Sequence, residues 1–78
     1  MKNKLIKSIG LELADIRRSH DLQLVDVASA IKISKDTISK YENGNSSMKI
    51  YIINILLEYY STDLLIFFTK VYDRMQKF

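Results

Sequence analysis

The 78-residue sequence has no cysteine, no proline, two glycines and one histidine, and this composition excludes several classes of fold and site. Without cysteine it has neither a disulfide framework nor the ligand set of a zinc finger, and one histidine cannot anchor a convincing metal cluster. A chain of this length makes one domain with a small core. Because 47% of the residues are hydrophobic, 27% are charged and none is proline, we predict a single globular, all-helical domain over residues 1–78.

Long apolar runs are also missing. The longest, residues 50–57, is broken by Asn54 and is far too short to span a bilayer. The N-terminal lysines are not followed by a cleavable apolar segment, so we see no export signal and expect a cytoplasmic protein without membrane contact. The net charge of +3 lies wholly in residues 1–40, because basic and acidic residues balance in the rest of the chain. A basic first half is weak evidence for an anionic partner.

Ser19, His20 and Asp21 are the residue types of a hydrolytic triad, but they are consecutive. Consecutive side chains diverge, whereas a triad needs three groups that converge on one hydrogen-bonded line. We interpret these residues as a polar loop. The sequence therefore predicts no enzyme, and it implies no cofactor and no small-molecule ligand.

The spacing of the apolar residues predicts five helices. Helix 1 covers about residues 3–19 and helix 2 about 23–31. Helix 3 runs from an N-cap at Ser34 to a left-handed glycine, Gly44. Helix 4 covers about residues 48–59, because its polar residues recur at i, i+4, i+7 and i+11 from residue 47. Those polar residues are Ser47, Tyr51, Asn54 and Glu58.

Helix 3 has a short, varied polar face opposite Ile38 and Tyr41. A helix of this size fits a DNA major groove, which is about 12 Å wide. The alternative is an ordinary packing helix with a wet outer face, on which Asp36 and Lys40 form a favourable i,i+4 pair. Only residues 32–33 separate helix 2 from the Ser34 cap, and two helices joined so closely form a helix-turn-helix.

The stretch from Ile9 to Leu65 resembles the Cro and lambda-repressor (XRE-type) family of helix-turn-helix regulators. The matching residues, at the family's spacing, are Arg17, Leu22, Ala28, Ile33-Ser34, Ile38-Ser39, Tyr41 and Glu42-Asn43-Gly44. The resemblance implies a compact five-helix lambda-repressor-like fold that binds double-stranded DNA. The small restriction–modification controller proteins look most similar, through Ser61-Thr62-Asp63 and Phe67-Phe68.

The resemblance also implies roles for individual residues. The base-facing positions of helix 3 are Lys35, Asp36, Thr37, Ser39 and Lys40. The phosphate-binding positions are Asn43, Asn45, Ser46, Ser47 and Lys49. Arg17 and Glu42 are expected to pair across helices 1 and 3. Lysine donates to guanine and a carboxylate accepts from cytosine, so the base-facing set suits a half-site containing G·C pairs.

Several positions depart from the family pattern, and three of them lie in the helix-turn-helix. Gln23 and Leu24 replace the usual Ser or Thr cap of helix 2 and the phosphate-binding glutamine that follows it. Lys32 replaces a glycine in the turn, so a lysine must adopt left-handed geometry there or the turn differs. Outside the motif, the lysines at the start of helix 1 fit a solvated helix end, with phosphate contact as the alternative. They are Lys2, Lys4 and Lys7.

Helix 5, over about residues 62–77 with Thr62 as its cap, is longer and more apolar than a small core needs. We predict that it also carries a homodimer contact, as small stand-alone family members do. The partner-facing stripe is assigned to Phe67, Val71 and Met75, and the core side to Leu64, Leu65, Phe68 and Tyr72.

The leading prediction is a homodimeric, sequence-specific transcriptional regulator of the controller-protein or phage Cro/repressor type. Such a dimer binds a symmetric operator in double-stranded DNA. The alternative is an antitoxin-type interaction module, whose apolar helix 5 covers a partner protein. The two differ in what covers helix 5, which is a second copy in one case and a different protein in the other.

Overall fold

The computed structural model describes residues 3–45 and 47–77, in which the chain forms five α-helices. They are α1 (Lys4–Ser19), α2 (Leu24–Ile31), α3 (Lys35–Glu42), α4 (Ile50–Tyr59) and α5 (Leu64–Gln76). No strand occurs in this part of the chain, so the prediction of an all-α, five-helix fold is confirmed. No single helix there is long and apolar enough to cross a membrane, and α4 and α5 meet that test only as a pair bent by 110°.

Short polar side chains begin α1, α3 and α5 by accepting backbone N–H groups that have no partner within the helix. The Oδ1 atom of Asn3 accepts two such groups from the first turn of α1, at 2.7 and 3.3 Å. At α3 the Oγ atom of Ser34 accepts from the N–H of Thr37 at 3.1 Å, which confirms the predicted cap. Gly44 follows α3 with a φ of +67°, the left-handed geometry predicted for it.

The predicted cap of α5 was one residue too early. The hydroxyl of Thr62 donates to the carbonyl of Tyr60 at 3.3 Å and so closes the preceding turn. Asp63 is the cap, because its carboxylate accepts two N–H groups of the first turn of α5, at 2.8 and 3.1 Å. A carboxylate in this position also suits the positive end of the helix dipole.

The core forms around α1, which packs against both α3 and α5, while α2 packs against α3 and α4. Buried apolar side chains from all five helices meet there. They are Ile9, Leu13, Val27, Ile38, Tyr41, Ile53, Leu56, Leu57, Tyr60, Phe67 and Val71. Every helix thus contributes to one continuous core, and the orientation of α3 is fixed by its packing on α1 and α2.

Gly10 allows α1 and α3 to approach closely. A Cβ atom at this position would lie 2.4 Å from the carbonyl oxygen of Tyr41 and 2.6 Å from that of Glu42. Both distances are far below van der Waals contact, and both partners are backbone atoms that cannot rotate away. The C-terminal end of α3 therefore rests directly on the backbone of α1, a requirement that the sequence patterns did not reveal.

The assignment of Phe67 and Val71 to a partner was wrong, because both are buried in the core of their own chain, with exposures of 0% and 1%. Met75 is half-buried and packs against the same core. Of the residues assigned to the core, Leu65 and Tyr72 lie instead on the outer side, 76% and 61% exposed, and Leu64 is exposed as well. Phe68 is half-buried and does pack against the core. Apolar residues cover about half of this helix, so their periodicity alone did not determine which part of the surface faces inward.

The rotation of α5 is fixed on its other side by an ion-pair cluster with α1. The Nε atom of Arg74 donates to Glu12 at 2.9 Å, and its Nη2 atom donates to Asp15. These hydrogen bonds, the one to Glu12 most of all, raise the pKa of Arg74. With Arg74 held against α1, the Leu65 and Tyr72 side chains point outward.

Candidate nucleic-acid interface

The connection between α2 and α3 has the geometry of a helix-turn-helix. Lys32 follows α2 with φ 59° and ψ 42°, so a lysine does adopt the left-handed conformation in place of the family's glycine. The N–H of Ile33 then donates to the carbonyl of Ala28 at 3.3 Å and closes the end of α2. Because Ser34 immediately caps α3, only three residues separate the two helices.

α3 has distinct inner and outer faces. Ile38 and Tyr41 are buried, whereas polar side chains occupy the rest of the helix. Lys35, Asp36 and Lys40 are exposed. Thr37 and Ser39 are half-buried and already hydrogen-bonded, Thr37 with the Ser34 hydroxyl at 2.9 Å and Ser39 with the Asn43 amide at 3.4 Å. The five residues assigned to base reading therefore lie on the polar side, and the three charged ones reach furthest into solvent.

The start of α2 differs from the family pattern, and the residues at Gln23 and Leu24 indicated this difference only in part. Gln23 is the N-cap, and its own backbone N–H donates to the carboxylate of Asp26 at 2.8 Å. Asp26 thus stabilises the first turn in place of a capping hydroxyl. The first two residues of α2 are Leu24, which is half-buried, and Val25, which is exposed. Because both side chains are apolar, neither can donate a hydrogen bond to a phosphate.

The loop after α3 carries most of the residues assigned to phosphates. Asn43, Asn45, Ser47 and Lys49 are exposed, whereas Ser46 lies outside the described residues, as does Lys2. The hydroxyl of Tyr41 accepts from the N–H of Lys49 at 3.1 Å, and the N–H of Asn45 donates to the carbonyl of Lys40 at 3.0 Å. Both ends of the loop are therefore tied to α3.

Arg17 joins α1, the α1–α2 connection and the end of α3. Its Nε and Nη2 atoms donate to the two carboxylate oxygens of Glu42 at 2.8 and 3.0 Å, and Nη1 donates to the carbonyl of Leu22 at 2.8 Å. Both side chains are nearly buried, with exposures of 10% and 7%. The hydrogen bond to Glu42 raises the pKa of Arg17, so the guanidinium stays charged. Every donating nitrogen of this side chain thus has a protein acceptor.

Residues 19–21 do not form a catalytic arrangement. The Oγ atom of Ser19 donates to the carbonyl of Ile16 at 2.7 Å, and the His20 ring stacks on the Tyr60 ring with centroids 5.8 Å apart. Asp21 has a φ of 56° in the tight turn that follows α1. Within the described residues, no cluster of three His, Cys, Asp or Glu side chains is arranged to hold a metal ion.

Comparison with known proteins agrees with this geometry. A family model described as a helix-turn-helix domain matches residues 8–64. Antitoxin PezA of Streptococcus pneumoniae serotype 4 (strain ATCC BAA-334 / TIGR4) is 36% identical over 50 residues, which are 64% of this chain and 32% of that protein. The chain thus spans about a third of the length of this curated relative. No solved structure matches. Since the family model covers most of the chain and the α2–α3 geometry agrees with it, the chain belongs to the helix-turn-helix family of DNA-binding transcriptional regulators.

Proposed function

We propose that this protein is a sequence-specific regulator that binds a two-fold symmetric site in double-stranded DNA as a homodimer. The observation that carries the proposal is the outer face of α3, where Lys35, Asp36 and Lys40 project from a helix whose inner face is buried. An ordinary packing helix also has a polar outer face, but here that face belongs to the second helix of a helix-turn-helix. A helix entering the major groove needs such a face.

The chemistry of this face suits G·C pairs. Lys35 and Lys40 can each donate to O6 and N7 of guanine, and the Asp36 carboxylate can accept from N4 of cytosine. Thr37 and Ser39 keep their hydroxyls near the same surface, where they can contact either type of pair. Their hydrogen bonds within the protein orient them before DNA is bound, which lowers the entropy lost on binding.

Phosphate contacts fall to the loop after α3 and fix the register of the helix in the groove. The exposed amides of Asn43 and Asn45, together with Ser46, Ser47 and Lys49, supply donors for phosphate oxygens. Hydrogen bonds tie Asn45 and Lys49 to α3, so these two residues keep a fixed position relative to the base-facing side chains. A cytoplasmic location follows from this role.

The homodimer contact is assigned to residues 62–77, but on the outer side of α5. Leu65, Phe68 and Tyr72 recur at i, i+3 and i+7, which places them on one side of the helix. Leu65 and Tyr72 are exposed and Phe68 is half-buried, so they form an apolar strip at the edge of the core. A two-fold contact would set this strip against its own copy, so each substitution acts twice.

Selection of bound sites from random duplexes tests the proposal. We expect an enriched, two-fold symmetric sequence whose half-sites lie about one helical turn apart, roughly 34 Å. Sedimentation should give a dimer for the wild type and a monomer for Leu65→Asp, with the helical content unchanged. Ile66→Asp, at an exposed apolar position of α5 that lies off this strip, is the matched control. No enrichment, or a dimer that survives Leu65→Asp, would count against the DNA site or the dimer surface respectively.

A second candidate function is an antitoxin-type module whose outer α5 surface binds a different protein. It is favoured by the relative named antitoxin PezA and by the same exposed apolar strip. The purified chain distinguishes the two roles. A surface made for another protein leaves the isolated chain monomeric or aggregated, whereas the regulator forms a stable dimer that binds its selected duplex.

A further inference from the structure

The start of α1 lies beside the glycine that ends α3. A Cβ atom at Gly44 would be 3.1 Å from the Cα atom of Lys7 and 3.6 Å from its Cβ atom. One turn further along α1, Gly10 meets the carbonyls of Tyr41 and Glu42. α1 and the end of α3 therefore run past each other in a fixed register, and Lys7 is the α1 residue that reaches the start of the loop.

The side chains around this point have the chemistry of a phosphate site. Asn43 and Asn45 flank Gly44 and are exposed, and both are assigned to DNA phosphates in the proposed function. Lys7 is exposed, and so is Lys4, which precedes it by three residues and lies on the same side of α1. Gly44 carries no side chain that would stand between Lys7 and a phosphate held by the two asparagines.

We propose that Lys7 binds a DNA phosphate next to the one held by Asn43 and Asn45, so that the DNA-binding surface extends from the helix-turn-helix onto α1. Lys7 lies one residue before the stretch that the family model matches. This inference rests on the proposed function, because it assumes that α3 and its loop face DNA. Contact with phosphate carries no base information, so Lys7 contributes equally on every sequence.

A purely structural role makes a different prediction. A lysine close to the C-terminal end of α3 also stabilises the helix dipole there. In that case, removing the charge would lower the stability of the free protein and leave the salt dependence of DNA binding unchanged. Phosphate binding by Lys7 does change the salt dependence of DNA binding, because each phosphate that a protein neutralises releases counterions from DNA.

The test compares the wild-type chain with Lys7→Gln, Lys7→Arg and Lys70→Gln. Lys70 is exposed on α5 beside Arg74, so its substitution removes the same charge at the α1–α5 side. Binding is measured over a series of salt concentrations, on the duplex selected from random sequences and on a scrambled duplex of the same length. The melting temperature of each free protein is measured in parallel.

For Lys7→Gln we expect the slope of log affinity against log salt to fall in magnitude by about 0.9 per protomer on both duplexes. Lys7→Arg and Lys70→Gln should keep the wild-type slope, and each free protein should show a cooperative melting transition. An unchanged slope for Lys7→Gln, an equal fall for Lys70→Gln, or a Lys7→Gln protein that no longer folds would overturn the inference. If the wild type binds neither duplex at low salt, it is the proposed function that fails.

Discussion

α1 is joined to α3 by an ion pair and to α5 by an ion-pair cluster, and the two differ in how far their side chains are buried. On the α3 side, Arg17 and Glu42 make two hydrogen bonds between nearly buried side chains. On the α5 side, Arg74 is 28% exposed and shares its charge between buried Glu12 and exposed Asp15. Water and salt screen the second cluster, whereas the first lies where screening is weak. α3 is thus attached by a pair that is costly to break, and α5 depends mainly on its buried apolar side chains.

This difference matches what each helix has to do. In the proposed function, the side chains on the outer face of α3 must keep one orientation relative to the loop that follows, and Glu42 anchors the helix directly before that loop. α5 needs only a correct inner face, because its proposed partner contact is a broad apolar strip that tolerates small shifts. The most firmly held attachment is thus found at α3, the proposed recognition helix.

The largest effect is expected from breaking the buried pair. Glu42→Ala leaves the Arg17 guanidinium desolvated and should lower the free energy of unfolding by about 3 kcal/mol. Arg17→Ala should cost a similar amount, and the double substitution should cost less than the two single ones added together. Urea unfolding of the four proteins measures this coupling. Strictly additive effects would show that the interaction between Arg17 and Glu42 does not stabilise the fold.

Gly10→Ala probes the same α1–α3 contact through its backbone. The added methyl group would meet two carbonyl oxygens that can move only if α3 moves, so we expect a loss of about 2 kcal/mol. Glu58→Ala, at an exposed position of α4, is the control and should leave stability nearly unchanged. A Gly10→Ala protein as stable as the wild type would mean that α3 is not held tightly on α1.

Arg74→Ala breaks the partly exposed cluster and should cost about 1 kcal/mol at low salt. Because the wild-type cluster is already screened at high salt, the difference between the two proteins should shrink as salt is added. The loss caused by Glu42→Ala should change much less over the same range. Denaturation at low and high salt compares the two directly, and an equal salt dependence would remove the distinction between the pairs.

The smallest effect is expected at Tyr60, which lies near the buried pair. Burial, and secondarily the charge of Glu42, raises the pKa of Tyr60 to about 12 from the ordinary 10.0. Between these pH values the unfolded chain loses the phenolic proton while the folded chain keeps it, so stability falls as pH rises.

Tyr60→Phe removes this contribution, and the variant should lose less stability than the wild type between neutral pH and about pH 11. At neutral pH the change should stay below about 1 kcal/mol, because the hydroxyl is buried and makes no hydrogen bond within the described residues. Unfolding at the two pH values provides the measurement. Equal losses in both proteins would show that Tyr60 titrates normally.

Local patterns predicted the five helices because the spacing of the apolar residues marks each one, although α5 did not reveal its inner face. Ser34 and Gly44 bound α3 through their own chemistry, and Ile38 and Tyr41 mark its buried side. The polar face of the candidate site follows from the same periodicity.

What the sequence did not reveal depends on contacts between distant segments. Gly10 has a role only because α3 lies on it, and Arg74 pairs with a residue on α1 that is 62 positions away. The apolar pattern of α5 is compatible with two rotations, and the rotation that occurs is the one that buries Phe67 and Val71 and sets Arg74 against α1. The cap at Asp63 is a local feature, unlike these contacts. The error there arose because the neighbouring Thr62 is also a residue type that caps helices.

The central claim is that the outer face of α3 reads base sequence, and Lys40 tests it most directly. Fluorescence anisotropy would compare the wild type and Lys40→Ala on the selected duplex and on one with a single G·C pair replaced in each half-site. We expect Lys40→Ala to cost about 1–3 kcal/mol on the selected duplex and much less on the altered one. An equal loss on both duplexes would make Lys40 a phosphate contact, and a wild type that binds neither duplex at low salt would contradict the proposed function.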